Sequence, residues 1–218
     1  MKFNSSPLKN LLVSALLACS ATSTTALAGI TADEAFGPAA VGQPAPDFTL
    51  TDINGKSVNL KHFRKKYVVL EWINDGCPFV KKHYNSGNMQ SLQEEFTKKG
   101  VVWIQVSSSA SGMQGNHTSE EWKDILKKWN AHPTDLVLDP DGKVGHMYGA
   151  KTTPDMYVIG KDGTLLYAGA IDDKPDTDKE SIKTAKNYVR EALEEVMAGK
   201  SVATTTTKPY GCSVKYAG

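Results

Sequence analysis

The apolar positions of this chain fall into short, dense runs separated by turn residues, a rhythm that predicts alternating strands and helices. Val68, Val69, Leu70, Trp72 and Ile73 make one such run, patterned as a strand buried on both faces. Asn74-Asp75-Gly76 ends it, and Pro78 stands at the favoured first position of a helix. That helix carries its apolar face through Met89, Leu92 and Phe96 and stops at Gly100, with a kink or interruption expected at Ser86-Gly87-Asn88. Val101 to Val106 reads as a second buried strand. Ser107 to Asn116, rich in Ser and Gly, reads as a loop at its carboxyl end, where α/β sheets tend to place their sites. Thr118 and Glu121 form a capping box for a helix from Ser119 to Trp129. Leu136-Val137-Leu138 is a third strand, and Tyr157-Val158-Ile159 and Leu165 to Ile171 are two more, joined through Asp162-Gly163. Ile182, Ala185, Val189, Ala192, Leu193 and Val196 recur at helical spacing, which predicts one last helix from Lys179 to Ala198 with Gly199 as its C-cap. Upstream, Asn54-Gly55 between short alternating runs is a hairpin signal.

The length of 218 residues fits one medium domain with tails. With 25 basic against 24 acidic residues the net charge is +1, so nothing points to nucleic acid or to an anionic membrane surface. Lys2 and Lys9 precede an apolar run from Leu11 to Ala21, and small residues then lead to Ala26-Leu27-Ala28. This is the pattern of a secretory signal peptide over residues 1–28, too short for the ~20 residues of a membrane span. The mature chain is therefore expected to be exported, to the periplasm or outside the cell. Leu16-Leu17-Ala18-Cys19 also resembles a bacterial lipobox, which keeps a lipid anchor at Cys19 as the alternative. Residues 30–42 are a weakly patterned lead-in, 42–199 the domain, and 200–218 a tail with four consecutive threonines and little core-forming signal.

Export makes the cysteines informative. Of the three, Cys19 is removed or lipidated, which leaves Cys77 and Cys212. Two cysteines in an exported chain are most simply one disulfide. Cys77 falls at the N-cap of a helix that follows a buried strand, where unpaired backbone N–H groups and the macrodipole favour an anion. A thiol there is expected to have a lowered pKa and to react as thiolate. A bond that opens and closes then fits better than a structural staple. The lone acid Glu71 lies in an apolar strand where its charge is costly, so a Gln in its place is expected to stabilise the fold.

Val68 to Lys82, reading VVLEWINDGCPFVKK, resembles the active-site segment of the thioredoxin superfamily, where a buried strand ends in a Cys-x-x-Cys at a helix N-terminus. Cys77 matches the nucleophile, Val80 takes the place of the second cysteine, and Glu71 matches the buried acid that assists proton transfer. Thr152-Thr153-Pro154 followed by Tyr157-Val158-Ile159 matches the cis-proline strand of the superfamily, with Pro154 shaping the docking surface. His83 matches a place where related reductases carry a glutamate and is the candidate proton shuttle. The resemblance extends to peroxiredoxins of the alkyl hydroperoxide reductase/thiol-specific antioxidant type, but Leu70 and Asn74 stand where their Pro and Thr precede the peroxidatic cysteine.

The resemblance implies an α/β, thioredoxin-like three-layer sandwich with an N-terminal β-hairpin and a C-terminal tail carrying Cys212. It implies an exported thiol–disulfide oxidoreductase in which Cys77 attacks, Cys212 resolves, and Glu71, His83 and Pro154 assist. The substrate would be a protein or small-molecule disulfide, the electron donor is unspecified, and no cofactor is implied. Two alternatives stand beside it. One is a thiol peroxidase whose Cys77 sulfenic acid is trapped by Cys212. The other is a non-enzymatic module binding a partner or a metal, although Cys77, His83 and Cys212 are too scattered to favour a metal site.

Overall fold

The computed structural model describes Met1 and residues 38–218. The signal-peptide and lipobox readings over residues 1–28 lie outside the described residues. The elements are β1 (Thr49–Asp52), β2 (Ser57–Asn59), β3 (Val68–Trp72), α1 (Pro78–Asn85), α2 (Asn88–Lys98), β4 (Val102–Ser107) and α3 (Ser119–Trp129). They continue with β5 (Asp135–Leu138), α4 (Lys143–Tyr148), β6 (Thr152–Thr153), β7 (Asp155–Ile159), β8 (Leu165–Gly169), α5 (Tyr188–Met197) and β9 (Cys212–Ser213).

Seven strands form one sheet in the order β2-β1-β5-β4-β3-β7-β8, and β6 and β9 form a separate pair. β3, β4 and β5 run parallel at the centre. β1 joins antiparallel to β5, with β2 as its hairpin partner, and β7 and β8 add antiparallel on the other side. β3 is buried at every position, Glu71 included, as expected of a central strand whose other residues are apolar. Successive side chains of a strand point to opposite faces. Val69 faces a layer built from Val80 and Tyr84 of α1, Met89, Leu92 and Phe96 of α2, Trp122 of α3, and Val189 and Leu193 of α5. Val68, Leu70 and Trp72 face Val144 and Tyr148 of α4, with Ala45, Phe48 and Val214. The molecule is thus a helix–sheet–helix sandwich with the N-terminal hairpin on one edge. Among the described residues, no helix is long and apolar enough to cross a membrane.

Three elements differ from the sequence pattern. The single helix expected over 179–198 is a 3-10 turn, Lys179–Thr184, followed by α5. The break has a local cause: Ala185 is extended, and the Asn187 side chain accepts from Arg190 N–H, starting a new helix. The strand expected to reach Ile171 ends at Gly169, whose φ of 142° leaves the strand region. The tail is docked along its length. Thr205 O accepts from Ala168 N–H at 3.1 Å, and Ala168 O accepts from Thr207 N–H at 3.2 Å. The Thr207 hydroxyl accepts from Ala170 N–H at 2.9 Å. The threonines contribute little apolar area, but their backbone continues the ladder beside β8. Tyr216 then stacks on His146 with ring centroids 4.0 Å apart and donates to Ala150 O at 2.8 Å.

Because Leu70 lies on the face opposite Cys77, stability and site chemistry separate there. Leu70→Ala is expected to lose about 2–5 kcal/mol in denaturant unfolding. The pH dependence of Cys77 alkylation should stay unchanged.

Candidate active site

The site starts where β3 runs out. Ile73 N–H still bonds to Val106 O at 3.0 Å, and Asn74 then makes the turn. Its Oδ1 accepts from Gly76 N–H at 2.9 Å, its carbonyl accepts from Cys77 N–H at 3.1 Å, and its Nδ2 donates to Gln114 O at 3.0 Å. Gly76 lets the Gln114 side chain lie close over the turn, where a Cβ would force it to shift. His117 Nε2 meets Asp75 Oδ1 at 2.7 Å, tying the Ser-rich loop to the same turn. Cys77 is the N-cap of α1 with Pro78 at the first helical position.

The Cys77 thiol is fully buried and donates to Thr153 O at 3.0 Å. Thr153 belongs to β6, and the Thr153–Pro154 bond is cis. In the two-stranded ladder Thr153 pairs with Cys212 of β9, and Val214 N–H continues to Lys151 O at 3.1 Å. The tail thus carries Cys212 over Cys77, and both are free thiols lying within hydrogen-bonding reach. Burial pushes the Cys77 thiol up. The Cys212 thiol, Thr153 and the Val80 amide of the first helical turn outweigh it, and the pKa falls below the ordinary cysteine value. Burial and the Cys77 neighbour push Cys212 the other way, up to about 11. One thiol is poised to ionise at the other's expense.

Glu71 lies at the centre of a cage of donors. Its oxygens accept from Trp103 Nε1 at 2.7 Å, Tyr84 Oη at 2.8 Å, Gln93 Nε2 at 3.2 Å and Gln105 Nε2 at 3.4 Å. Burial raises its pKa, and these four donors oppose the rise. Cys77 is not among its hydrogen-bond partners. The cage reverses the expectation for Gln: an amide in this position turns an N–H toward a donor. Gln105 interrupts the apolar run of β4, a signal that belongs with Glu71, and Gln93 lies on the buried face of α2.

His83 joins the tail rather than Cys77. Its Nε2 lies 3.2 Å from the Tyr210 hydroxyl and its Nδ1 2.9 Å from Asn88 Nδ2. Tyr210 donates its single proton to Asp172 Oδ1. The network therefore assigns the hydrogen to Nε2, with Nδ1 accepting from Asn88. Burial, with Lys82 beside it, lowers the His83 pKa to about 3, so the ring stays neutral at ordinary pH. Lys82 is itself buried, its Nζ donating to Lys174 O at 2.6 Å and pairing with Asp176 at 3.2 Å. Asp172 gave no signal in the sequence, since nothing in its pattern ties it to a tyrosine in the tail. Among the described residues, no three His, Cys, Asp or Glu side chains converge on a metal-sized site.

Asp155 follows Pro154 directly, is buried, and accepts from Lys151 N–H at 3.0 Å. Burial outweighs the backbone donors of Lys151, Thr152 and Met156 and pushes its pKa up to about 7. A carboxyl whose folded pKa is raised holds its proton in the fold after the unfolded chain has lost it. Its contribution is full below the unfolded value of about 3.9 and is lost as pH rises to about 7. Asp155→Asn should flatten the stability profile over that window, read as urea midpoints from pH 4 to 7. Glu71→Gln should be destabilised by about 1–3 kcal/mol through its unpaired donors.

The AhpC/TSA family profile matches residues 41–168. A thiol-disulfide oxidoreductase ResA of Bacillus thuringiensis subsp. konkukian is 27% identical over 126 residues, covering 58% of this chain and 67% of that protein. Among solved structures, an uncharacterized conserved protein from Geobacillus kaustophilus superposes with a TM-score of 0.68 at 27% identity, over 82% of this chain and 93% of that one. The thioredoxin domain of a thiol-disulfide oxidoreductase from Bacteroides vulgatus gives 0.50 at 23% identity, over 66% and 96% of the two chains. The latter likeness concerns the fold, which is thioredoxin-like. With a buried strand leading to Cys77 and a family profile covering more than half its length, the chain belongs to the AhpC/TSA family of redox proteins.

Proposed function

We propose that the protein is an exported thiol–disulfide oxidoreductase that uses Cys77 as nucleophile and Cys212 as resolving thiol. The observation that carries this reading is the pairing of Thr153 with Cys212, which sets the second thiol over the first. The similarity to a ResA thiol-disulfide oxidoreductase supports the same chemistry, and the pattern of residues 1–28 supports export.

In the forward direction, the Cys77 thiolate attacks one sulfur of a substrate disulfide. The substrate S–S bond breaks, and one substrate thiolate leaves with the bonding pair. Cys212, losing its proton as it attacks, then forms a bond to the Cys77 sulfur and expels the second substrate thiolate. Two electrons pass to the substrate, and the protein is left with a Cys77–Cys212 disulfide. A donor dithiol restores the reduced pair by the reverse exchange. Val80 stands where a local second cysteine would be, so the tail supplies the resolving sulfur. Thr153 and Pro154 shape the surface around Cys77, and Glu71 holds or releases a proton beneath it within the Tyr84 cage. The contacts of His83 favour a supporting role, holding Tyr210 two residues ahead of Cys212.

The test compares wild type, Cys77→Ser and Cys212→Ser with model disulfides and hydroperoxide. Wild type should reduce disulfides at the expense of a dithiol, Cys77→Ser should be inactive, and Cys212→Ser should accumulate mixed disulfides on Cys77. Peptide maps of the oxidised monomer should contain the Cys77–Cys212 link. Turnover of peroxide without disulfide reduction would replace this reading with the peroxidase. Recovery of both cysteines as free thiols after mild oxidation would remove the resolving role. Cys77 alkylation should titrate below the ~8.5 of a free cysteine.

A further inference from the structure

The near balance of 25 basic and 24 acidic residues hides an uneven placement. Val68 pairs with Val102 and Ile159 at one end of the sheet, and Trp72 pairs with Val106 and Asp155 at the end that leads to Cys77 and Pro154. At the first end three basic connections meet: Lys65-Lys66 ahead of β3, Lys99 ahead of β4, and Lys161 after β7. Lys65 N–H donates to Lys161 O at 2.8 Å, which joins two of these loops. The lysines surround a cavity of about 230 Å³ lined by Lys65, Lys66, Lys99, Lys161, Tyr67 and Met197, with no carboxylate in its wall. Lys99 is paired with Glu95 at 2.7 Å. Among the described residues, Lys65, Lys66 and Lys161 form no ion pair, and the Lys161 ammonium lies over the Tyr67 ring. Like charges gathered in this way repel one another in the folded chain, a cost that an anion from outside removes.

The surroundings of the cavity narrow the choice of anion. Met197 is 39% exposed at its wall. A second cavity of about 550 Å³ shares Tyr67 and Lys161 with the first and adds Leu166, Val196, Val202, Lys200 and a single acid, Asp162. The Asp162 carboxylate is already taken by Thr164. Cationic and apolar surfaces side by side match an amphiphile with a phosphate head, whereas a bare anion leaves the apolar part unused. We propose that this end of the molecule docks on an anionic phospholipid surface, with headgroup phosphates against Lys65, Lys66 and Lys161 and with Met197 at the apolar boundary. Basic side chains within a Debye length of such a surface each add to the attraction. At about 3.3 Å per residue, β3 holds this face apart from Cys77. A docked molecule therefore turns its two thiols away from the lipid and into the aqueous phase. Docking of this kind stands or falls apart from the redox role of Cys77.

The experiment sediments the full chain with vesicles of mixed phosphatidylglycerol and phosphatidylcholine, or of phosphatidylcholine alone. Lys65→Gln/Lys66→Gln is compared with Lys143→Gln/Lys179→Gln, which removes the same charge from exposed positions elsewhere. Lys143 begins α4, and Lys179 lines a separate cavity beside Pro78. Because every variant carries residues 1–28, any contribution from them cancels. The unaltered chain should bind the anionic vesicles more tightly than the neutral ones, and sodium chloride should weaken that binding. Lys65→Gln/Lys66→Gln should weaken it about 20-fold, at roughly fivefold per lysine, and the remote pair should change it little. Equal binding to both vesicle types would overturn the anionic surface. Equal losses in the two double variants would reduce the effect to net charge and overturn the site. Displacement by inorganic phosphate, beyond that caused by sodium chloride at the same ionic strength, would give the cavity to a free anion and overturn the lipid assignment.

Discussion

Thr153 is where the two thiols are brought into one environment. Its carbonyl oxygen accepts the Cys77 thiol, and its backbone pairs with the residue that carries the second sulfur. One residue on a two-residue strand thereby fixes the cover, the hydrogen bonding and the spacing of the site. The opposed pKa shifts follow from this. Each sulfur is the other's neighbour, and a proton held by Cys212 stabilises the thiolate at Cys77. The helix N-terminus adds the Val80 amide to the same side, so the partition favours charge at Cys77.

The sheet keeps that environment separate from the bulk of the packing. β3 sends Leu70 and Trp72 into one layer and Glu71 into the other, and the two are stabilised by different means. Trp72, Tyr148 and Tyr157 pack ring against ring, with centroids 5.1–5.4 Å apart. Glu71 is instead held by donors from α1, α2 and β4, one carboxyl joining three elements that the apolar layer alone would let slide. Buried polar groups are tolerated when partners are supplied, and both Glu71 oxygens have donors. Here the partners are also what hold α1, and with it the N-cap at Cys77, in place.

The strand, turn and Cys77–Pro78 helix start were legible because the apolar run is dense and its terminators are local. The capping box at Thr118 and the Asn54-Gly55 hairpin were legible for the same reason. The break between Thr184 and Asn187 was not, since the apolar residues keep helical spacing across it and an Asn at an N-cap looks like any exposed polar residue. The docking of the tail was not legible because its threonines carry almost no hydrophobic pattern. The tail is held by backbone pairing, Thr205 to Thr207 beside β8 and Cys212–Ser213 on β6, which has no local signature. Tyr210, Asp172 and His83 meet across long stretches of chain, so their network belongs to the tertiary structure alone.

The placement of β9 also has a consequence for the order in which the molecule is completed. Every strand of the seven-stranded sheet precedes Thr205, so the sheet can assemble before the last residues of the chain have been made. Until they arrive, β6 has no partner and Cys77 is uncovered. Contacts between such distant segments form late in folding because their loop-closure entropy must be met first. A chain that loses its final residues to a protease would keep the seven-stranded sheet and Cys77. Without Cys212 it would keep Cys77 uncovered and without its neighbouring thiol, prone to mixed disulfides with other molecules.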